Sequence, residues 1–192
     1  RTPAFVVMYL ILVFAAAASL LAIVYVPFVA LYQGLSLGVG ALAVGLLAAV
    51  NGAGRSVAGR ISDRFGRRQT LSAALLLQGC AQLGLVYSAK IGQPSAFVAF
   101  AALSGLAGGA FYPLFASLVA DYFGEPNAVR NFGLVYSAKL FGGLIGVGLP
   151  ALRLSSHGLA IPFVVAGLLS LYAAAMTRLL HRPGLPTVCL PR

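Results

Sequence analysis

The sequence predicts an all-α membrane protein of six transmembrane helices. Three observations predict it. Of 192 residues, 60% are hydrophobic and only 8% charged, whereas a typical soluble domain carries about 25% charged residues. So few charges do not coat a water-soluble globule of this size. The apolar residues fall into six runs of roughly 19–26 residues, each long enough to cross about 30 Å of hydrocarbon as a helix. The runs also lack the strict alternation over about 10 residues that marks a transmembrane barrel.

The spans follow from charges and turn residues. The first covers about 4–26, is free of charge, and precedes Pro27 and the Gln33-Gly34 turn. The second covers about 37–60 with one internal charge, Arg55, and leads into the basic stretch Arg60 to Arg68. The third covers about 70–89 and stops at Lys90-Ile91-Gly92-Gln93-Pro94. The fourth, about 95–120, is rich in Gly and Phe and ends in a polar loop expected from Asp121 to Arg130. The fifth covers about 131–152 with Lys139 inside it, and a short turn from Arg153 to Gly158 follows. The sixth covers about 159–178. The expected organisation is a six-helix bundle over 1–182 and a flexible tail over 183–192.

Thirteen Lys+Arg against three Asp+Glu give a formal charge of +10. In a soluble protein that excess points to nucleic acid. Here an even number of spans puts both termini on one side. Arg1, Arg60, Arg64, Arg67, Arg68, Arg130, Arg178, Arg182 and Arg192 then share a face, and Lys90 and Arg153 lie on the other. The cation-rich face, with both termini, is expected to be cytoplasmic. The charge is therefore mostly topology, and no nucleic-acid partner is expected.

Arg55 and Lys139 fit neither face. Arg55 lies eight residues before Asp63 and Lys139 eight residues after Asn131. Each is about 12 Å from the cytoplasmic end of its span. No acid of the chain lies at that level, and burying each cation costs about 2.5–3.5 kcal/mol on insertion scales. Three readings are open. The side chains snorkel to the interface; or a carboxylate outside this chain pairs with them; or they bind an anionic ligand in a wet cavity. The third is preferred, because an Arg fork and a mobile Lys charge suit carboxylate oxygens. Asn51, one turn from Arg55, is placed to orient the guanidinium or bond the ligand. Tyr136, one turn before Lys139, is a candidate wall of the cavity. Phe111, Tyr112 and Phe115 are further candidates that ordinary packing explains equally well.

Small residues recur in the spans. Gly142 and Gly146 make a G-x-x-x-G, and Gly105, Gly108 and Gly109 cluster in the fourth span; such residues let helices approach closely in lipid. Pro113 and Pro150 lie inside spans and are expected to kink them. Cys80 and Cys189 make no disulfide framework. His157 and His181 show neither metal-ligand spacing nor a nucleophile–base pairing, so no enzyme, metal or cofactor is expected.

The loop Gly59-Arg60-Ile61-Ser62-Asp63-Arg64-Phe65-Gly66-Arg67-Arg68 resembles the signature loop of the major facilitator superfamily, roughly G-x-x-x-D-R-x-G-R-[RK]. The resemblance implies one six-helix half of that fold. It also implies that Asp63, Arg64 and Arg67 latch a cytoplasmic gate, with Asp63 set against a helix N-terminus, and that Gly59 and Gly66 permit close packing. A more particular resemblance runs through most of the chain. Arg1-Thr2-Pro3-Ala4-Phe5, Asn51-Gly52-Ala53-Gly54-Arg55, Ala120-Asp121-Tyr122-Phe123-Gly124 and Tyr136-Ser137-Ala138-Lys139 are similar to segments of the oxalate/formate antiporter family, which is monocarboxylate-transporter-like. It implies that Arg55 and Lys139 bind a carboxylate substrate and that Tyr136 belongs to the same site. Proton-coupled monocarboxylate transporters usually carry Asp one turn before the arginine. Asn51 stands there and does not titrate, which favours exchange or uniport.

The expected protein is thus the C-terminal half of an alternating-access carrier of small organic anions. Its expected partners are the anion, the lipid bilayer and a missing N-terminal six-helix half. Two alternatives remain: a half-transporter without independent transport, or a facilitator-family carrier of another substrate class whose acids pair with Arg55 and Lys139.

Overall fold

A computed structural model describes residues 3–152 and 159–180. The expected tail over 183–192, the cations Arg1, Arg153, Arg182 and Arg192, both histidines and Cys189 lie outside them. The described residues form six helices long and apolar enough to cross a membrane: α1 (Pro3–Tyr32), α2 (Leu37–Phe65), α3 (Arg67–Lys90), α4 (Pro94–Phe123), α5 (Glu125–Ala151) and α6 (Ala160–Leu179). No strand occurs among the described residues.

The helices outrun the apolar windows. The basic stretch Arg60 to Arg68 and the polar stretch Asp121 to Arg130, both expected as loops, are almost wholly helical. Hydropathy marks where lipid ends, and a helix that satisfies its own backbone continues past that boundary. The connections between α2 and α3 and between α4 and α5 shrink to one residue each, Gly66 and Gly124. Both have positive φ, 92° and 78°, where a side chain is strained. On the opposite face, α1 and α3 end in Schellman turns. Leu35 N–H bonds Ala30 O and Gly34 N–H bonds Leu31 O; Gln93 and Gly92 repeat the pattern on Ser88 O and Ala89 O. Ser36 caps α2 through Val39 N–H at 3.3 Å, and Pro94 opens α4 where its missing N–H costs nothing.

α1 is apolar all round and contacts each of the other five helices. Fifteen of its residues are buried, so it forms the centre of the bundle. α2 meets α4 backbone to backbone. A Cβ added at Gly105 would overlap the Leu47 carbonyl, one at Gly109 the Asn51 carbonyl, and one at Gly54 the Leu106 carbonyl. The Gly142/Gly146 pair of α5 packs likewise on α1: a Cβ at Gly142 would lie 2.6 Å from Ala16 Cβ, and one at Gly146 would overlap Ala17 O.

α4 runs unbroken through Pro113, so the expected kink there is no interruption of the helix. α5 is the irregular element. Its α-helix breaks at Ser137, resumes over Ala138–Gly143, widens into a π-helical turn over Leu144–Gly148 and closes with Leu149–Ala151. The π turn ends two residues before Pro150, whose missing N–H disrupts the regular ladder. Tyr25 of α1 donates to the Val147 carbonyl there at 2.9 Å.

Gly109→Ala must force α2 and α4 apart, an overpacking that costs about 1–3 kcal/mol. Gly52→Ala meets nothing within 4 Å and gains about 1 kcal/mol of helix propensity. Thermal unfolding in detergent should give a lower midpoint for Gly109→Ala and an unchanged or higher one for Gly52→Ala. Equal midpoints would show that the α2–α4 approach does not limit stability.

Candidate functional site

Asn51 and Arg55 lie on α2, and neither lines the cleft that holds Lys139. The close α2–α4 approach leaves Asn51 half-buried, its Nδ2 donating to the Gly105 carbonyl at 3.2 Å. Arg55, one turn on, is exposed and makes no hydrogen bond or ion pair among the described residues. Lys139 comes from α5, just past the break at Ser137. Its Nζ donates to the Tyr136 hydroxyl at 3.3 Å. It also lies 5.0 Å from the Tyr112 ring centroid and 5.4 Å from that of Tyr136, distances at which an ammonium is attracted to an aromatic face.

The rings support one another. Tyr112 and Tyr136 are 5.4 Å apart between centroids, and Phe132 stands 5.6 Å from Tyr136. Leu47 packs on Gly105 and Asn51 on Gly109, and Arg55 and Tyr112 each lie one turn further along these two helices, so Arg55 stands at the level of Tyr112. Phe111 and Phe115, the other candidates on α4, are buried in the core. Sequence alone did not separate the three.

An open cleft of about 500 Å³ is lined by Leu20, Tyr136, Ser137, Lys139, Leu140, Gly143 and Leu144. A second groove, about 370 Å³ between α1, α5 and α6, is lined by apolar residues that include Leu21, Ile145 and Val165. Ser137 shapes the first cleft. Its Oγ donates back to the Leu134 carbonyl at 2.7 Å and lies 3.2 Å from the Tyr9 hydroxyl. Such back-bonding competes with the helix ladder and coincides here with the break between Tyr136 and Lys139.

The charged junctions lie together at one end of the bundle. Arg67 pairs with Asp121 and donates to the Ser117 carbonyl at 3.0 Å. Arg68 donates to the Leu180 carbonyl at 2.9 Å. These two arginines thereby staple the start of α3 to the ends of α4 and α6.

The sequence pattern of the Major Facilitator Superfamily matches residues 7–188. The chain belongs to this superfamily. It is similar to the oxalate:formate antiporter of Oxalobacter formigenes, 30% identical over 154 residues, which cover 80% of this chain and 37% of that protein. It is also similar to an uncharacterized 38 kDa protein in the 23S RNA operon of Thermoproteus tenax, 33% identical over 125 residues, or 63% of this chain and 32% of the other. The chain thus spans about a third of the length of each of these relatives.

Within this facilitator chain the signature loop departs from the expected arrangement. Asp63 is exposed in the last turn of α2 and makes no hydrogen bond or ion pair among the described residues. The acid that meets Arg67 is Asp121. Arg64 lies over the neighbouring Phe65 ring at 5.5 Å. Gly59 and Gly66 do not serve close packing here, since a Cβ at either meets nothing within 4 Å. Gly66 is needed for its positive φ. A signal for Asp121 exists in the sequence: Asp63-Arg64-Phe65-Gly66 recurs as Asp121-Tyr122-Phe123-Gly124, and both copies end a helix on a positive-φ glycine.

Arg67→Ala loses both the Asp121 and the Ser117 contacts, whereas Asp121→Asn removes only the ionic partner. The pair is partly exposed, so Asp121→Asn should cost less than about 1 kcal/mol. Arg67→Ala should cost more, and the Asp121 effect should shrink in its background. Chemical denaturation of the two single variants and the double variant measures this coupling.

Proposed function

We propose that this chain forms one six-helix wall of an alternating-access carrier of small organic anions, rather than an enzyme, with Arg55 and Lys139 binding carboxylate oxygens. The observation that carries the reading is that Lys139 lies over the Tyr112 ring and Arg55 stands at the same level, with no carboxylate beside them. The described acids, Asp63, Asp121 and Glu125, all stand at helix ends. Arg55 offers a planar fork, and Lys139 a compact charge held over two rings. Tyr136 lines the cleft beside Lys139, and Asn51 stands one turn from Arg55. A second six-helix half supplies the opposite wall, and the two halves rock about the midplane site.

Exchange follows from electrostatics. A dianion neutralises both cations and lowers the penalty of enclosing them, while an empty dicationic site resists closure. Asn51 does not titrate, and no acid among the described residues lies inside a span to carry a proton. The likeness to an oxalate:formate antiporter supports a mono- or dicarboxylate as the cargo. Asp63, Arg64 and Arg67, with Gly59 and Gly66 in the same loop, act at the inner gate in this reading. Asp121 joins them through Arg67.

In the complete polypeptide reconstituted in liposomes, Arg55→Gln and Lys139→Gln should each reduce oxalate or formate exchange at least about tenfold. A hydrogen bond to a charged group contributes about 1.5–3 kcal/mol, and about 1.4 kcal/mol is a factor of ten. Neutral solutes should not be carried. Normal exchange by both variants removes the proposal, and transport of a neutral solute favours another substrate class.

Sidedness is tested separately. Arg60, Arg64, Arg67, Arg68, Arg130 and Arg178 mark one end of the bundle and Lys90 the other, so the first is assigned to the cytoplasm. A cysteine placed at Arg130 should react with a membrane-impermeant thiol reagent only from the cytoplasmic side. One placed at Ile91 should react only from outside.

A further inference from the structure

The buried polar residues of this bundle form a layer. Two apolar clusters make up the core. On α1 one cluster ends at Ala15 and the other begins at Ala18, with Ser19 at the junction. On α3, Gln78 and Gln82 lie between Leu75 of the first cluster and Leu85 of the second. Ser104 of α4 lies between Ala101 and Ala110, and Ser170 of α6 between Ala166 and Ala173. All five polar residues are at most 5% exposed, and both glutamines are at 0%.

Half of each carboxamide is satisfied. Gln78 Nε2 donates to Ser104 Oγ at 2.9 Å, and Gln82 Nε2 to the Ala18 carbonyl at 2.5 Å. Gln78 Oε1 and Gln82 Oε1 are both buried and have no partner among the described residues. Turning the Gln82 amide over does not help, because its oxygen would then face the Ala18 carbonyl; turning Gln78 over lets its oxygen accept from Ser104 Oγ and leaves its Nε2 as the unpartnered atom instead. Uncompensated amide oxygens in an apolar interior are strongly unfavourable. These two stand one turn apart on the same face of α3, so the layer holds two unpartnered acceptors on successive turns.

We propose that Gln78 and Gln82 hold a structural water that donates one O–H to each amide oxygen. Ser104 Oγ accepts from Gln78, which frees its own proton to donate to that water. Water of this kind usually makes about three hydrogen bonds, which matches this count. A monovalent cation also suits two amide oxygens, but among the described residues no carboxylate lies in the layer. A cation would therefore add net charge between two apolar clusters, whereas water adds none. The layer also backs the candidate site. A Cβ at Gly108 would lie 2.5 Å from Ser19 Oγ and 3.3 Å from Asn51 Nδ2. The hydration site itself does not depend on what Arg55 and Lys139 bind.

A density map of the complete protein in lipid, at a resolution that shows ordered water, should contain a peak within hydrogen-bond distance of both amide oxygens. That peak should be unchanged when choline chloride replaces sodium chloride, and should vanish in Gln78→Met/Gln82→Met. Thermal unfolding supplies a second reading. Gln78→Met or Gln82→Met alone strands the remaining oxygen and should lower the midpoint by several degrees. The double variant removes both acceptors and should recover part of that loss. No peak in the unsubstituted protein, a peak that requires sodium, or strictly additive losses would each overturn the proposal.

Discussion

The contact on which the rest of this structure depends is the backbone-to-backbone approach of α2 and α4. Lipid removes the hydrophobic drive between helices, so association rests on close packing and on hydrogen bonds between them. Gly105 and Gly109 admit the Leu47 and Asn51 carbonyls, and Gly54 admits the Leu106 carbonyl in return. This approach fixes the register of the two helices. It brings the Asn51 amide to the Gly105 carbonyl and sets Arg55 and Tyr112 on facing turns. A matching seam, Gly142 and Gly146 on the Ala16–Ala17 backbone, holds α5, the helix of Lys139, against α1.

The two cations are not equivalent. Each costs about 2.5–3.5 kcal/mol to hold at membrane depth. Lys139 recovers part of that from two aromatic faces, at about 0.5–2 kcal/mol for a cation–π contact, and part from the Tyr136 hydroxyl. Arg55 has no hydrogen-bond partner among the described residues. The larger uncompensated penalty therefore rests on the residue with the wider fork of donors, the group with most to gain from a carboxylate.

Much of this was legible in the sequence, for identifiable reasons. Charge is rare enough in the spans that Arg55 and Lys139 stand out without any structure, and lipid makes their cost unavoidable. Span ends were legible only as lipid boundaries. A residue such as Arg60 or Asn127 leaves the hydrocarbon without leaving the helix. Tyr112 was not separable from Phe111 and Phe115 because α4 is apolar nearly all round. The sequence then gives no face to choose, and only the packing of α2 and α5 turns Tyr112 outward. The Arg67–Asp121 pair joins residues 54 positions apart, a distance no local pattern reports, although the recurring Asp-x-Phe-Gly marks both chain reversals.

The regularity of the helices also divides the site into a fixed and an adjustable side. Arg55 and Tyr112 sit on two unbroken helices locked by three glycine–carbonyl approaches, and sliding either helix would drive Cα atoms into carbonyl oxygens. Lys139 sits on α5 between the Ser137 break and the π turn at Leu144–Gly148. At both irregularities the backbone ladder is already interrupted, so a small rotation there costs less than in a continuous α-helix. Its hold on the aromatic rings is also non-directional compared with a bidentate salt bridge. Any change in the spacing between the two cations would therefore fall to α5, with α2 and α4 as the reference frame.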